Sequence, residues 1–187
     1  MLGSKTIESA LSLLNQNPSK TLGLTLGAHR NIQPGQYIPR ADARSAPDLT
    51  FPVPDPNRTY MVVNLDLDAP FPAFSFLGPI LHWFQPGLRP VPTTTTTTSP
   101  TDGATYGFEV TAPFVANYIG PGPPPGSAPH RYVFFLYEQP AGFDVEKYAS
   151  SEGQKVGRWP RVRYDWDQWV QEVQLGEVVA VNYFTSN

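Results

Sequence analysis

The sequence contains no cysteine. Disulfides, thiolate metal sites, iron–sulfur clusters and thiol nucleophiles are therefore excluded. Charge is scarce as well: Asp, Glu, Lys and Arg make up 16% of the chain, against roughly 25% in an ordinary globular domain. With 13 basic and 16 acidic residues the net charge is −3, which gives no electrostatic case for nucleic acid or an anionic membrane. No apolar run approaches the ~18 residues of a transmembrane helix. Glu8 interrupts the single apolar stretch near the start, so no secretory core is read and a cytoplasmic protein is expected. HxH, HExxH and GxSxG spacings are missing too, so neither a metal, a cofactor nor a serine triad is expected.

What the chain has in excess is proline, 22 in 187 residues, over twice the usual frequency of roughly 5%. Interior prolines break helices, so the composition predicts strands joined by ordered, proline-rich loops. The length suits one domain over 1–187, large enough to bury about 70% of its extended surface. An N-terminal helical extension is expected within 1–20, with Ile7, Leu11 and Leu14 on one apolar face beside Ala10. Leu22, Leu24 and Leu26 alternate as a short first strand would. Stronger strands, rich in β-branched and aromatic residues, are predicted at 49–53, 59–67, 80–85, 104–111, 130–139 and 178–184. In the fifth of these, both faces of Tyr132–Tyr137 are apolar, which predicts a central strand covered on both sides. A short helix is expected near 143–149. A second is expected at 166–175, capped by Asp165, with Trp166, Trp169, Val170 and Val173 on one face and Gly176 at its end.

Two stretches stand apart. Residues 91–102 carry the threonine run 93–98 between prolines and are read as an exposed loop insertion. The stretch 71–79 concentrates Phe71, Phe74 and Phe76, too many large apolar groups for an ordinary loop. They either fill core or line a pocket or partner surface.

Few polar residues interrupt the strand sequence, and these need explaining. His82 lies within Ile80–Phe84, His130 opens its strand, and Asp66 and Asp68 stand two apart at a strand end. A carboxylate buried there must be paired or hydrogen-bonded. Either Asp66 and Asp68 tie down loop amides and histidine N–H groups, or they help to build a ligand site.

Four segments, DLDAP at 66–70, LHW at 81–83, YIGPGPPPGSAPHRYVFFLYEQP at 118–140 and YDWDQWVQEVQLGEVVAVNYF at 164–184, together resemble the phosphatidylethanolamine-binding protein family. The resemblance implies an all-β fold, a β-sandwich with a large central antiparallel sheet and a few short helices, one near the C-terminus. It also implies a small anion pocket at the strand ends. That pocket would be lined by Asp66, His82, Gly122, Pro124, His130 and Tyr132, with Asp68 and Pro70 shaping its wall and Tyr183 at its mouth. The chain departs from the family pattern in having Leu67 within DLDAP, an apolar FPAFSFLGPI after it, and Ile80 ahead of His82. A pocket with an anionic centre and greasy surroundings suits an anionic or amphiphilic ligand, carboxylate or phosphate, with an apolar body. Phe71, Phe74 and Phe76 are expected to flank its mouth.

Three functions follow from the resemblance. The first is non-catalytic binding of such a ligand, with a protein partner regulated by it. The second is an enzyme of fungal secondary metabolism that cyclises or dimerises an anhydride or carboxylic-acid polyketide. There His82 or His130, tuned by Asp66, would act as general base, and the other histidine with Tyr132 would hold oxyanion charge. The third is inhibition of a protease or kinase through a surface loop. Each histidine is read as a polar group at a pocket rather than core volume, so its loss is expected to leave the fold intact.

Overall fold

The computed structural model describes residues 4–93, 104–149, 155–157 and 159–187. The chain opens with helix α1, Lys5–Gln16, started by the Ser4 hydroxyl accepting from the Ile7 N–H. Ile7, Ala10 and Leu14 are its buried face, while Leu11 is only partly covered. Three short strands follow, β1 (Gly23–Thr25), β2 (Gln36–Tyr37) and β3 (Asp48–Thr50). The main sheet is built from β4 (Tyr60–Asp66), β5 (Ile80–Pro92), β6 (Tyr106–Val110), β7 (His130–Glu138) and β8 (Val178–Ser186). Helices α2 (Val145–Tyr148) and α3 (Trp166–Glu172) precede the last strand.

Six strands lie in the order β2-β8-β7-β4-β5-β6, antiparallel throughout except where β2 runs parallel to β8. β1 and β3 form a second, two-stranded antiparallel sheet, tied to the first by an antiparallel bridge between Phe51 and Tyr106. The result is a β-sandwich, open at one side like half a barrel, with its few helices at the periphery.

The main sheet separates two cores, as the two-sided apolar pattern of β7 requires. Tyr132, Phe134 and Leu136 face the N-terminal layer with Leu22, Leu24, Leu49 and Phe51. Val133, Phe135 and Tyr137 face the helical side with Ile7, Leu14, Trp166 and Trp169. Every residue of β4 is buried, as befits a strand flanked by β5 and β7 and covered on both faces.

Several boundaries differ from the sequence-based expectation. β5 runs well beyond 85, through Pro86, Pro90 and Pro92, so 91 and 92 are strand rather than loop. Pro86 and Gly87 fall where the register of β4 and β5 shifts, an irregularity that needs no ladder N–H from the proline. From residue 94 to 102 the threonine-rich insertion lies outside the described residues. Helix α3 stops at Glu172, and the left-handed turn beyond it is made by Gln174 (φ 53°) rather than by Gly176. Its start is as read: Asp165 accepts from the Gln168 N–H at 2.9 Å. The Trp166 and Trp169 rings stack at 5.4 Å and are core.

Candidate functional site

Asp66 ends β4, His82 sits near the start of β5 and His130 begins β7, so three adjacent strands deliver three polar side chains to one end of the sheet. Loops close the space around them. Ala69, Pro70 and Leu77 come from the β4–β5 loop, Ile119–Gly122 and Pro124 from the β6–β7 loop, and Val156, Trp159, Arg161 and Val162 from the segment before α3. They enclose a cavity of about 540 Å³.

Asp66 is the hub. Its Oδ1 accepts the Asp68 N–H at 2.9 Å, which fixes the turn out of β4. Its Oδ2 lies 2.9 Å from His130 Nδ1 and 3.9 Å from His82 Nε2. All three residues are at most 5% exposed, so water does little to screen a charge on any of them.

The two histidines have opposite roles. His130 Nδ1–H donates to Asp66. Its Nε2 faces the Pro70 carbonyl at 3.2 Å and Ser127 Oγ at 3.0 Å. The carbonyl can only accept, and the Ser127 hydroxyl has the Ala128 carbonyl to donate to at 2.9 Å. Both ring nitrogens thus point at acceptors, the surroundings of an imidazolium. Burial opposes that charge, but the hydrogen bond and charge of Asp66, helped by Asp68, outweigh it and raise the His130 pKa. His130 is the buried counter-ion of Asp66, with no nitrogen free to act as a base. Removing it would strip Asp66 of its partner, so a cost in stability is expected where the sequence reading expects the fold to be spared.

His82 Nδ1 lies 2.9 Å from the Ile119 carbonyl and must carry its proton there. Burial dominates and lowers the His82 pKa, although Asp66 and the Ile119 hydrogen bond pull the other way. A neutral ring with hydrogen on Nδ1 presents a bare lone pair at Nε2. His82 is therefore the histidine able to accept a proton or a hydrogen bond at the cavity.

Of the residues read from sequence, Asp66, Pro70, His82, Gly122, Pro124 and His130 line the cavity. Asp68, Tyr132, Tyr183, Phe71, Phe74 and Phe76 do not. Asp68 turns away to clamp Arg131, accepting from its Nε at 2.9 Å, its Nη2 at 2.6 Å and its backbone N–H at 2.8 Å. Burial would raise the Asp68 pKa, but these bonds win and lower it. Tyr132 sits behind the wall, its ring 5.0 Å from His82 and its hydroxyl taking the Gly122 N–H at 3.4 Å. Burial and the nearby Asp66 charge raise its pKa and keep it a phenol. Tyr183 packs on the opposite core, because the strand alternation that turns Phe184 inward turns it away.

The phenylalanines are neither core nor cavity wall. The loop curls on itself through Phe74 N–H to the Phe71 carbonyl (2.8 Å), Gly78 N–H to Ser75 (3.0 Å) and Leu77 N–H to Ala69 (3.1 Å). That fold sends Leu77 into the wall and leaves Phe71, Phe74 and Phe76 40%, 67% and 43% exposed. The cavity's apolar surface comes instead from Leu77, Ile80, Ile119, Val156 and Val162.

Sequence reasoning missed Arg161 and Arg40, both in the wall. Arg161 is 1% exposed and lies in the stretch GRWPRVR, a concentration of arginine that was the available signal in so weakly charged a chain. Around the cavity, positive charge on Arg161, Arg40 and His130 exceeds the single negative charge of Asp66. Such a wall can hold an anion.

Comparison with known proteins agrees with this architecture. A family model described as phosphatidylethanolamine-binding protein matches residues 28–184. The carboxypeptidase Y inhibitor of Saccharomyces cerevisiae is 27% identical over 95% of this chain and 89% of its own length. The phomoidride biosynthesis cluster protein N of Talaromyces stipitatus is 30% identical over 87% of this chain and 82% of its own. Among solved structures, carboxypeptidase Y inhibitor complexed with its cognate proteinase superposes with a TM-score of 0.72. That match has 23% identity and covers 100% of this chain and 99% of the other, a likeness of fold.

Proposed function

Since the chain belongs to the phosphatidylethanolamine-binding protein family, whose ligand-binding fold it has, we propose that it binds a small anionic group with an apolar body in the cavity at the strand ends. One observation carries this reading: among the described residues lining the cavity, the positive charge of buried Arg161 and His130, joined by the exposed Arg40, outweighs the negative charge of buried Asp66, and the rest of the wall is largely apolar. Charge held in low dielectric attracts an opposite charge more strongly than it would at the surface, and apolar walls reward the ligand's body. Calorimetry with phenylacetate, phenylacetamide and inorganic phosphate is the test. The acid should bind at least ~10-fold more tightly than the amide, as expected when a charged hydrogen bond is lost, and more tightly than phosphate. Equal affinity for acid and amide would end the reading.

A second reading, inhibition of a peptidase, is the one the relatives favour over a specific anion or a catalytic role. The carboxypeptidase Y inhibitor matches nearly end to end, and the exposed Phe71, Phe74 and Phe76 offer an apolar surface for a protein partner. Inhibition of carboxypeptidase Y by the purified protein tests it. Loss of inhibition on replacing the three phenylalanines by serine would assign the surface, and an uninhibited peptidase would dispose of the reading. Catalysis on a polyketide acid, suggested by the metabolite-cluster relative, would rest on His82 as base, because both nitrogens of His130 are occupied.

A further inference from the structure

The cavity wall contains a cation with no counter-ion among the described residues. Arg161 is 1% exposed, and among the described residues no carboxylate lies within ion-pair distance of it. Its partners are neutral: Nε donates to the Val156 carbonyl at 3.2 Å, Nη1 to the carbonyls of Leu81 and His82 at 3.1 and 3.4 Å, and Nη2 to Asn117 Oδ1 at 2.7 Å. A guanidinium has five N–H groups. At least one, on Nη2, has no partner among the described residues, and the residue borders the cavity. Burial lowers the Arg161 pKa, yet arginine remains charged in proteins. An unpaired buried charge costs several kcal/mol, and the space beside it is open.

A second unmet group stands on the same wall. His82 Nδ1–H is committed to Ile119, and its Nε2 is 3.9 Å from Asp66, beyond hydrogen-bond reach and facing an acceptor. Among the described residues no donor reaches Nε2. The wall therefore offers one charged donor and one neutral acceptor.

Resting on the anion-pocket reading above, we propose that Arg161 holds the ligand's acid oxygen and that His82 Nε2 accepts a hydrogen bond from an O–H of the same ligand. The ligand class is then an apolar acid that also carries an O–H beside its acid group. A 2-hydroxy carboxylic acid has this pair of features, and so does a singly protonated phosphate monoester. A plain carboxylate satisfies only Arg161, and a neutral amide satisfies Arg161 only weakly.

The experiment is calorimetry with three probes, mandelate, phenylacetate and mandelamide, on the wild type, Arg161→Met and His82→Phe. Wild type should bind mandelate about 10–100-fold more tightly than mandelamide, the loss of a charged hydrogen bond, and several-fold more tightly than phenylacetate, the loss of a neutral one. Arg161→Met should bring mandelate and mandelamide within twofold of each other. His82→Phe should erase only the difference between mandelate and phenylacetate. Phenyl phosphate at pH 5.5 against its methyl diester separates the two ligand sources, the monoester being preferred if phosphate is the natural head. Should Arg161→Met fail to fold, the wild-type Arg161 Nε–H resonance gives the same information, moving with mandelate and not with mandelamide. Wild type that binds acids while Arg161→Met keeps the acid preference, or while that resonance stays still, overturns this inference alone. Wild type indifferent to all the acids overturns the anion pocket itself.

Discussion

Replacing His130 by alanine is expected to destabilise the protein severely, despite its place beside a cavity. His130 is 1% exposed and Asp66 is 3% exposed, with Nδ1 and Oδ2 at 2.9 Å. Removing one member of a buried pair strands the other charge, which costs about 3–5 kcal/mol. For a chain of this size each kcal/mol moves the melting temperature by about 2–4 °C, so a fall of ~6–20 °C is expected. The loss carries a pH signature. The folded pKa of His130 is raised above its unfolded value of about 6.5. Its contribution is then fully present below pH ~6.5 and lost as pH rises through the folded value. Urea unfolding of the wild type and His130→Ala between pH 6 and 9 should show a difference that is largest at the acid end and shrinks towards pH 9. The double variant Asp66→Asn/His130→Gln should lose less than the two single changes summed, because it leaves no stranded charge. A His130→Ala protein within about 0.5 kcal/mol of wild type, with no pH trend, would refute the ion-pair assignment.

Two further outcomes follow. Asp68→Asn should lose roughly 1–2 kcal/mol at neutral pH, the lower end for a charged hydrogen bond because Arg131 is half exposed. Since the folded Asp68 pKa is depressed, the difference should be present above pH ~4 and vanish as pH falls through the folded value, read from urea midpoints at pH 7 and pH 3. Replacing Phe71, Phe74 and Phe76 together by serine should change stability by no more than about 1.5 kcal/mol, since each is an exposed position. A loss of about 3 kcal/mol or more for each residue, measured by thermal melting, would return them to the core.

The parts of the fold that could be read from sequence are those whose cause is local. β4 and β7 announce themselves by dense β-branched and aromatic residues, and α3 by Asp165 followed by tryptophans at helical spacing. Asp66, His82 and His130 were visible because a polar residue inside apolar strand sequence must have a partner. What could not be read depends on distant contacts. β2 is two residues without a pattern, defined as a strand by its pairing with Phe184 and Thr185. The phenylalanines of the β4–β5 loop look like core by composition, and only the loop's own hydrogen bonds send them outward. Arg161 reaches carbonyls of Leu81 and His82 some 80 residues away, a contact that no local window reveals.

With three histidines in the chain, nitrogen-15 spectra of selectively labelled histidine side chains would read the central claim directly, in the free protein and at saturating mandelate. The expected result is His130 as an imidazolium bonded to Asp66, His82 neutral with its proton on Nδ1, and a mandelate-induced shift at His82 Nε2 while His29, outside the cavity, stays unchanged. A charged His82 in the free protein, or a mandelate response confined to His29, would contradict it.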